Sequence, residues 1–336
     1  MAQNGEFQII ERFFTHENFG AWESKGVGDD CAIIDMPAGR IAVTADMMAI
    51  GTHFLSTQRP EDIGYKALAV NLSDLAAAGA IPRAFFLTIG LPARDDAWLA
   101  GFTKGMTELS RQAGCPLLGG DTTRTAKVGD IHAPVTISIT AMGELPQSMG
   151  LTRSGARPGD DIWVSGCVGG AWAALMHRWG KLTLDARVFP AAALAMDRPN
   201  PRNALGTALL SSATACADIS DGLAQDLGHI LERSGVDADV LWDAVPKHPA
   251  LAALSQEQQV EAAMSGGDDY ELVFTAPADK RGLIEQASIS ALTPVTRIGR
   301  IVEKKPSGAP LAIRDASGRP LFLPVQGFDH FAQSAD

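Results

Sequence analysis

The chain has 336 residues, 46% of them apolar and 20% charged, with a formal net charge of −11. That length and balance suit an enzyme-sized globular protein of two domains. The acidic excess, with no lysine or arginine cluster to offset it, argues against a nucleic-acid partner. No apolar run approaches the roughly eighteen residues of a membrane-crossing helix, which argues against a membrane partner.

The opening stretch MAQNGEFQIIERFF has no cationic segment leading into an apolar one, so a cytoplasmic location is expected. Ala32–Ile34 and Ile41–Thr44 read as short strands. Glu61 to Ala78 reads as a helix, opened by Pro60 and closed by Gly79, with Pro82 blocking its continuation. Val135, Ile137 and Ile139 alternate in a strand over Val135–Met142. The turn-rich LTRSGARPGDD then marks a boundary, giving domains 1–148 and 149–336.

In the second half Ile162–Ser165 reads as a strand, and GCVGGAWAALMHRWG as a glycine turn entering a helix. The amides of Gly166–Gly170 could meet a phosphate, although a helix-packing turn is favoured over that role. A helix over Gly222 to Arg233 carries the stripe Leu223, Leu227, Ile230 and Leu231. Tyr270–Thr275 reads as a strand, and LAIRDASGRPLFL as a hairpin turning at Ala316–Gly318. The alternation favours an α/β or α+β layered fold. Cys31, Cys115, Cys167 and Cys216 form no CxxC pair and lie among apolar or small residues, so buried free thiols are expected.

Aspartates recur at the ends of these elements: GVGDD (Asp29, Asp30), TAD (Asp46), NLSD (Asp74), GGDTT (Asp121), ADISDG (Asp218, Asp221) and GGDD (Asp268, Asp269). Some have ordinary roles open to them. Asp221 is placed to cap a helix, and Asp121 could form a turn after Gly119-Gly120. Asp74 is harder to place, because it lies inside a helix with Leu72, Leu75 and Ala76 around it and Asn71 one turn earlier. Asp218 ends an apparent strand ahead of the capping positions. Carboxylates so placed need a cation or a partner. Aspartates with the hydroxyls of Thr44, Ser73, Thr122 and Ser220 are hard oxygen donors, which suit magnesium or manganese.

Magnesium on few carboxylates commonly shares its shell with phosphate, which points to nucleotide chemistry. A bare phosphate among carboxylates would meet about 4 kcal/mol of repulsion per charge pair at about 4 Å and an effective dielectric near 20, so such a site must hold several metals. The chain has no GxxxxGK[ST] loop, no GxGxxG opening a helix, no protein-kinase motif set and no GxSxG elbow. His53, in a glycine turn, could meet an anion or simply face water.

Taken in order, GVGDDCAII, VTADMMAIGTHF, YKALAVNLSDLAAAGA, LLGGDTTR, LTRSGARPGD, ADISDGLAQDLGHI and SGGDDYELVFT resemble the thiamine-monophosphate kinase family over nearly the whole chain. That family sits with aminoimidazole ribonucleotide synthetase, selenophosphate synthetase and the hydrogenase-maturation dehydratase. The resemblance implies a two-domain α/β (α+β) fold of aminoimidazole ribonucleotide synthetase type. Its N-terminal domain, holding ATP and magnesium, would join its sheet to a partner's in a barrel across a homodimer. It also implies phosphorylation of thiamine monophosphate by ATP, giving thiamine diphosphate without a phosphoenzyme. By motif, Asp30, Thr44, Asp46, Asp74, Asp121, Asp218 and Asp221 would hold several Mg2+ ions. Gly120, Asp121, Arg153 and Ser220 would contact ATP, and His53, Asp268 and Phe328 would line the thiamine side.

Two positions depart from the family pattern. Ala45 stands where a threonine or serine is usual, and Asp268 where a glutamate is usual, one methylene shorter. The acceptor is itself a phosphate, ionised at pH 7 because its second pKa is near 6, so no catalytic base is expected. One alternative is another ATP-dependent enzyme of the superfamily, although residues 1–25 hold no cysteine of the kind a selenophosphate synthetase would use. The other is a nucleotide-binding protein impaired in catalysis, which the two departures motivate.

Overall fold

The computed structural model describes residues 6–15, 22–25, 33–34, 36, 38–129, 131–146 and 149–321. Asp29, Asp30, Cys31 and Phe328 lie outside the described residues. The chain divides into two compact units, Met1–Leu75 with Ala80–Met149, and Ala76–Gly79 with Gly150–Asp336.

In the first unit a short helix α1 (Glu6–Ile9) precedes the paired strands β1 (Glu23–Lys25) and β2 (Ile33–Ile34). The main sheet has the order β3 (Ile41–Ala49), β8 (Thr136–Glu144), β4 (Ile81–Leu91), β5 (Leu117–Arg124). β3 and β4 run antiparallel to β8, and β5 runs parallel to β4. A small ribbon of β6 (Lys127–Val128) and β7 (Ile131–His132) follows β5. Helices α2 (Pro60–Ala77) and α3 (Asp96–Ala113) complete the unit. Along β8 every second residue is buried, Ile137, Ile139 and Ala141 among them, as expected of a sheet with one covered face.

α2 begins at Pro60, as its sequence requires. It ends with Gly79 N–H donating to Ala76 O at 2.9 Å and Ala80 N–H to Leu75 O at 2.8 Å. That pair of bonds is the Schellman arrangement, which satisfies the last carbonyls. α3 is capped by Asp95, whose carboxylate accepts from Ala97 N and Trp98 N at 3.0 Å each. Two of the readings shift here. β3 extends past Thr44 to Ala49, because β8 pairs with it residue for residue from Ile41 to Ala49. LLGGDTTR forms a strand rather than a turn, held in register with Phe86–Leu91. Of Ala32–Ile34, only Ile33–Ile34 falls among the described residues.

The second unit has a six-stranded sheet in the order β10 (Ala215–Asp218), β12 (Leu272–Ala276), β9 (Asp161–Ser165), β13 (Val295–Val302), β11 (Asp237–Leu241), β14 (Leu311–Arg314). All neighbours are antiparallel except β11 and β14. Helices α4 (Gly170–Arg178), α5 (Phe189–Asp197) and α6 (Asn203–Leu209) lie between β9 and β10, and α7 (Leu223–Ser234), α8 (Gln256–Val260) and α9 (Arg281–Ser290) follow β10, β11 and β12 in turn. The core joins Trp163, Leu205, Leu209, Cys216, Leu272, Phe274 and Ile284, with Trp163 stacked on Phe274 at 6.4 Å between ring centroids. Each such apolar side chain contributes about 1.5–3 kcal/mol on burial.

The strand expected over Tyr270–Thr275 begins only at Leu272, because Tyr270 has φ of +52° and cannot continue a pleat. The terminal hairpin closes through Asp315 N–H to Arg319 O at 3.0 Å and Leu321 N–H to Ile313 O at 2.9 Å. Cys115 and Cys216 are buried, whereas Cys167, in the turn after β9, is only half-buried. Burial, with the nearby Glu271 and Asp269 charges, pushes the Cys167 thiol up to about 11.

Candidate active site

In the first unit the helix-facing side of β3 carries Thr44, Asp46 and Met48. Thr44 Oγ1 donates to Asp74 Oδ2 on α2. Asp46 N–H donates to Asn71 Oδ1 at 3.0 Å, and Asn71 Nδ2 reaches Ala67 O at 3.1 Å. The two polar groups one turn apart on α2 therefore meet the strand, with Asn71 buried and Asp74 half-buried. This gives both polar groups a partner on the strand. Ala45 lies on the opposite, exposed side with Val43 and Met47. The hydroxyl that the family pattern has there would thus face away from the Thr44–Asp74 pair.

His53 follows β3 in a turn, where its Nδ1 accepts from Ala49 N–H at 3.1 Å and its carbonyl accepts from the buried Lys66 Nζ at 3.5 Å. It is half-buried, so a purely water-facing histidine is not what the fold places here. Gly120 lies so close to the Leu87 carbonyl that no side chain could stand there. Asp121 is exposed on β5 and falls in the register row of Thr88, Ser138 and Met47. Asp46 belongs to the next row, with Ile139, Leu87 and Gly120.

In the second unit Asp218 ends β10 as a buried residue paired with Leu272. The chain then turns through Ser220, Asp221 and Gly222 into α7. Asp221 does not cap that helix. The cap position belongs to Gly222, which offers no side chain, and Asp221 instead accepts from Gln225 Nε2 at 3.0 Å. The amides of the turn are served by Asp226, whose Oδ2 accepts from Ser220 N, Asp221 N and Gly222 N at 3.1, 3.1 and 3.2 Å. Burial pushes the Asp226 carboxyl up to about 7 and the Asp221 charge adds to this, while the turn amides and the Arg153 guanidinium pull it down. Arg153 is exposed, in a loop where Ser234 Oγ accepts from Gly155 N and Ala156 N at 3.2 Å each and donates to Arg153 O at 3.4 Å.

The segment Gly267–Glu271 lies against this turn. Asp268 N–H donates to Ser220 O at 2.7 Å and Tyr270 N–H to Ile219 O at 2.8 Å, and Ile219 N–H returns a bond to Glu271 O at 2.7 Å. Asp268 has φ of +63° and Tyr270 of +52°, a strained backbone of the kind that functional sites retain. Asp269 turns the other way, and both its oxygens accept from Gly169 N at 2.9 and 3.0 Å. Burial raises its carboxyl well above the usual range, against the pull of the Gly169 amide. The glycine turn after β9 therefore spends its amide on a carboxylate of this chain, in line with a packing role.

Glu271 is buried and accepts from Arg202 Nε at 2.7 Å, from Arg202 Nη2, and from Ser165 Oγ at 2.5 Å. Ser165 Oγ in turn accepts from Leu272 N at 2.8 Å. Removing one partner of such a pair strands the other charge. Arg202→Ala is expected to destabilise the protein by about 2 kcal/mol, discounted for the partial exposure of the guanidinium. Urea unfolding checks this, and an unchanged midpoint would show that the pair is inert.

Asp269 stands out in the sequence within GGDD, but its role, like Asp226 and Glu271 altogether, does not, because each acts through backbone amides or a distant arginine. Among the described residues, no three carboxylate, imidazole or thiol groups converge as a metal centre. The donors that do meet, the Thr44 hydroxyl and the Asp74 carboxylate, are hard oxygens of the type magnesium takes.

Residues 28–145 match the family described as AIR synthase related protein, N-terminal domain, and residues 157–310 its C-terminal domain. The thiamine-monophosphate kinase of Haemophilus influenzae is 38% identical over 335 residues, covering 98% of this chain and 99% of that protein. That of Escherichia coli K12 is 39% identical over 332 residues, covering 98% of each. The crystal structure of thiamine-monophosphate kinase from Stenotrophomonas maltophilia superposes with a TM-score of 0.79 at 40% identity, over 87% of this chain and 91% of that one. A structure of AaThiL complexed with AMPPCP and TMP matches with a TM-score of 0.74 at 27% identity, over 92% and 93% of the two chains. The hydrogenase maturation protein HypE, at 21% identity and a TM-score of 0.75, shares the fold. Motifs, fold and near-full-length identity agree: this chain belongs to the thiamine-monophosphate kinase family.

Proposed function

We infer that the chain transfers the γ-phosphoryl group of ATP to thiamine monophosphate, yielding thiamine diphosphate and ADP. The observation that carries this reading is the identity of 38–39% with thiamine-monophosphate kinases over 98% of the chain, both units included. The transfer is direct and in line. The acceptor phosphate is ionised at neutral pH, so none of the aspartates need remove a proton.

Asp30, Thr44, Asp46, Asp74, Asp121, Asp218 and Asp221 would hold several Mg2+ ions, which neutralise and align the reacting phosphates when bound. The residues themselves have separable tasks. Thr44 fixes one oxygen of Asp74 by donating its hydroxyl to it, which orients the carboxylate. Arg153, exposed in an otherwise acidic set, suits a charge-assisted contact with a phosphate of ATP. Ser220 and Gly120 contact the same nucleotide. His53, Asp268 and Phe328 line the thiamine side, and the bonded Nδ1 of His53 fixes its ring.

We also infer a cytoplasmic homodimer joined through the first unit's sheet. Val43 and Met47 are 56% and 60% exposed on the face of β3 turned away from α2, a costly place for large apolar side chains without a partner. No helix among the described residues is long and apolar enough to cross a membrane. The decisive assay measures ADP release with ATP and magnesium, with and without thiamine monophosphate. Release is expected only with the acceptor present, and release independent of it would defeat this reading.

A further inference from the structure

We propose that Asp226 is a positioning residue for the nucleotide side of the reaction, holding the Ser220–Asp221–Gly222 turn in its working shape without touching a substrate. This rests on the assignment of Ser220 and Asp221 made above. Asp226 stands one turn inside α7 and is 1% exposed, so no ligand can reach it. One of its oxygens gathers the three consecutive turn amides, and its own N–H donates back to Gly222 O at 3.0 Å. The side chain and the backbone of the same residue thus lock both ends of the turn.

Besides Asp226, the turn is held at its Ser220 carbonyl by Asp268 N–H at 2.7 Å, but its own amides are gathered by Asp226. Its cap residue, Gly222, has φ of +123°, a region that L side chains rarely adopt, and a Cβ there would meet Met264 O at 2.9 Å. Gln225, the residue before Asp226, holds the Asp221 carboxylate from the same helical turn. The first turn of α7 therefore fixes the backbone of residues 220–222 and the side chain of Asp221 together. The amides of Ser220, Asp221 and Gly222, which a phosphate could otherwise take, are occupied by a carboxylate of this chain. What the turn presents to a ligand is its side chains, and their direction depends on Asp226.

The test uses the full chain and three readouts. Asp226→Ala is expected to weaken binding of a non-hydrolysable ATP analogue with magnesium by about tenfold or more in calorimetry. Amide hydrogen exchange at residues 220–222 should accelerate by about tenfold. At saturating nucleotide, which orders the turn, the KM for thiamine monophosphate should stay within about twofold of the parent. Asp226→Asn keeps an acceptor oxygen of lower strength and should recover part of the loss, to about threefold in affinity.

Parental nucleotide affinity in a folded Asp226→Ala, with only the exchange accelerated, would reduce Asp226 to a helix cap and overturn the proposal. If Asp226→Ala does not fold, Asp226→Asn carries the same criterion. Asp221→Asn and Ser220→Ala, measured in parallel, separate the two levels of inference. Unchanged nucleotide affinity in both would remove the turn from the nucleotide site, whereas a loss in both with none at Asp226 would refute only the positioning role.

Discussion

Asp74→Asn is expected to lower kcat by about a thousandfold while the protein remains folded, the scale of losing one preorganised charge at a phosphoryl-transfer centre. The substitution suits the site because the asparagine amide oxygen can still accept from Thr44 Oγ1, so the contact between α2 and β3 survives. What disappears is the negative charge that α2 holds against Thr44 on the strand. A thermal midpoint within a few degrees of the parent should accompany the lost turnover. Turnover within about tenfold of the parent would show that Asp74 only supports the strand, because that is too small for an electrostatic role in the transition state. The same reasoning applies to Asp46 and Asp218, on β3 and β10.

Gly105→Ala is expected to destabilise the first unit by at least about 3 kcal/mol, which lowers its midpoint by about 10 °C. The cause is the closeness of two helices. A methyl group on Gly105 of α3 would run into the Glu61 carbonyl of α2, and one on Gly64 of α2 would run into the Phe102 carbonyl of α3. Both obstacles are backbone, which cannot rotate aside as the end of a long side chain can. Relief would require the helices to separate, and α2 is the helix that brings Asn71 and Asp74 to the strand. Gly228→Ala is the control. That glycine lies within α7 with open space around its would-be Cβ, so alanine there should stabilise by about 0.5–1 kcal/mol. Calorimetric unfolding of the two variants should therefore move in opposite directions, and equal shifts would disprove the helix-crossing account.

The parts of this fold that were legible in the sequence are those written in local chemistry. Pro60 opening α2, the alternation of Val135, Ile137 and Ile139, and the apolar stripe of α7 each declare an element without reference to distant residues. The LLGGDTTR strand was obscured because its two glycines read as a turn, when their role is to admit the close approach of β4. The aspartate motifs were conspicuous because they break apolar surroundings, and their order and spacing carried the family resemblance.

Asp226 is different. It borders the apolar stripe of α7, three residues after Leu223 and four before Ile230, and only the folded turn shows which amides it meets. Asp269 is likewise bonded to Gly169, a hundred residues earlier, and Glu271 to Arg202, 69 residues earlier. Partners at such separations leave no periodic trace in a sequence.

The bonds from Asp268 N–H to Ser220 O and from Tyr270 N–H to Ile219 O have a thermodynamic meaning beyond geometry. On the assignments made above, Ser220 faces the nucleotide and Asp268 the thiamine side, and their backbones are joined with no intervening residue. Ordering one segment spends conformational freedom that the other no longer has to lose. The free energy of coupling is a property of the pair, so whatever factor the nucleotide adds to the affinity for the acceptor, the acceptor must return to the nucleotide.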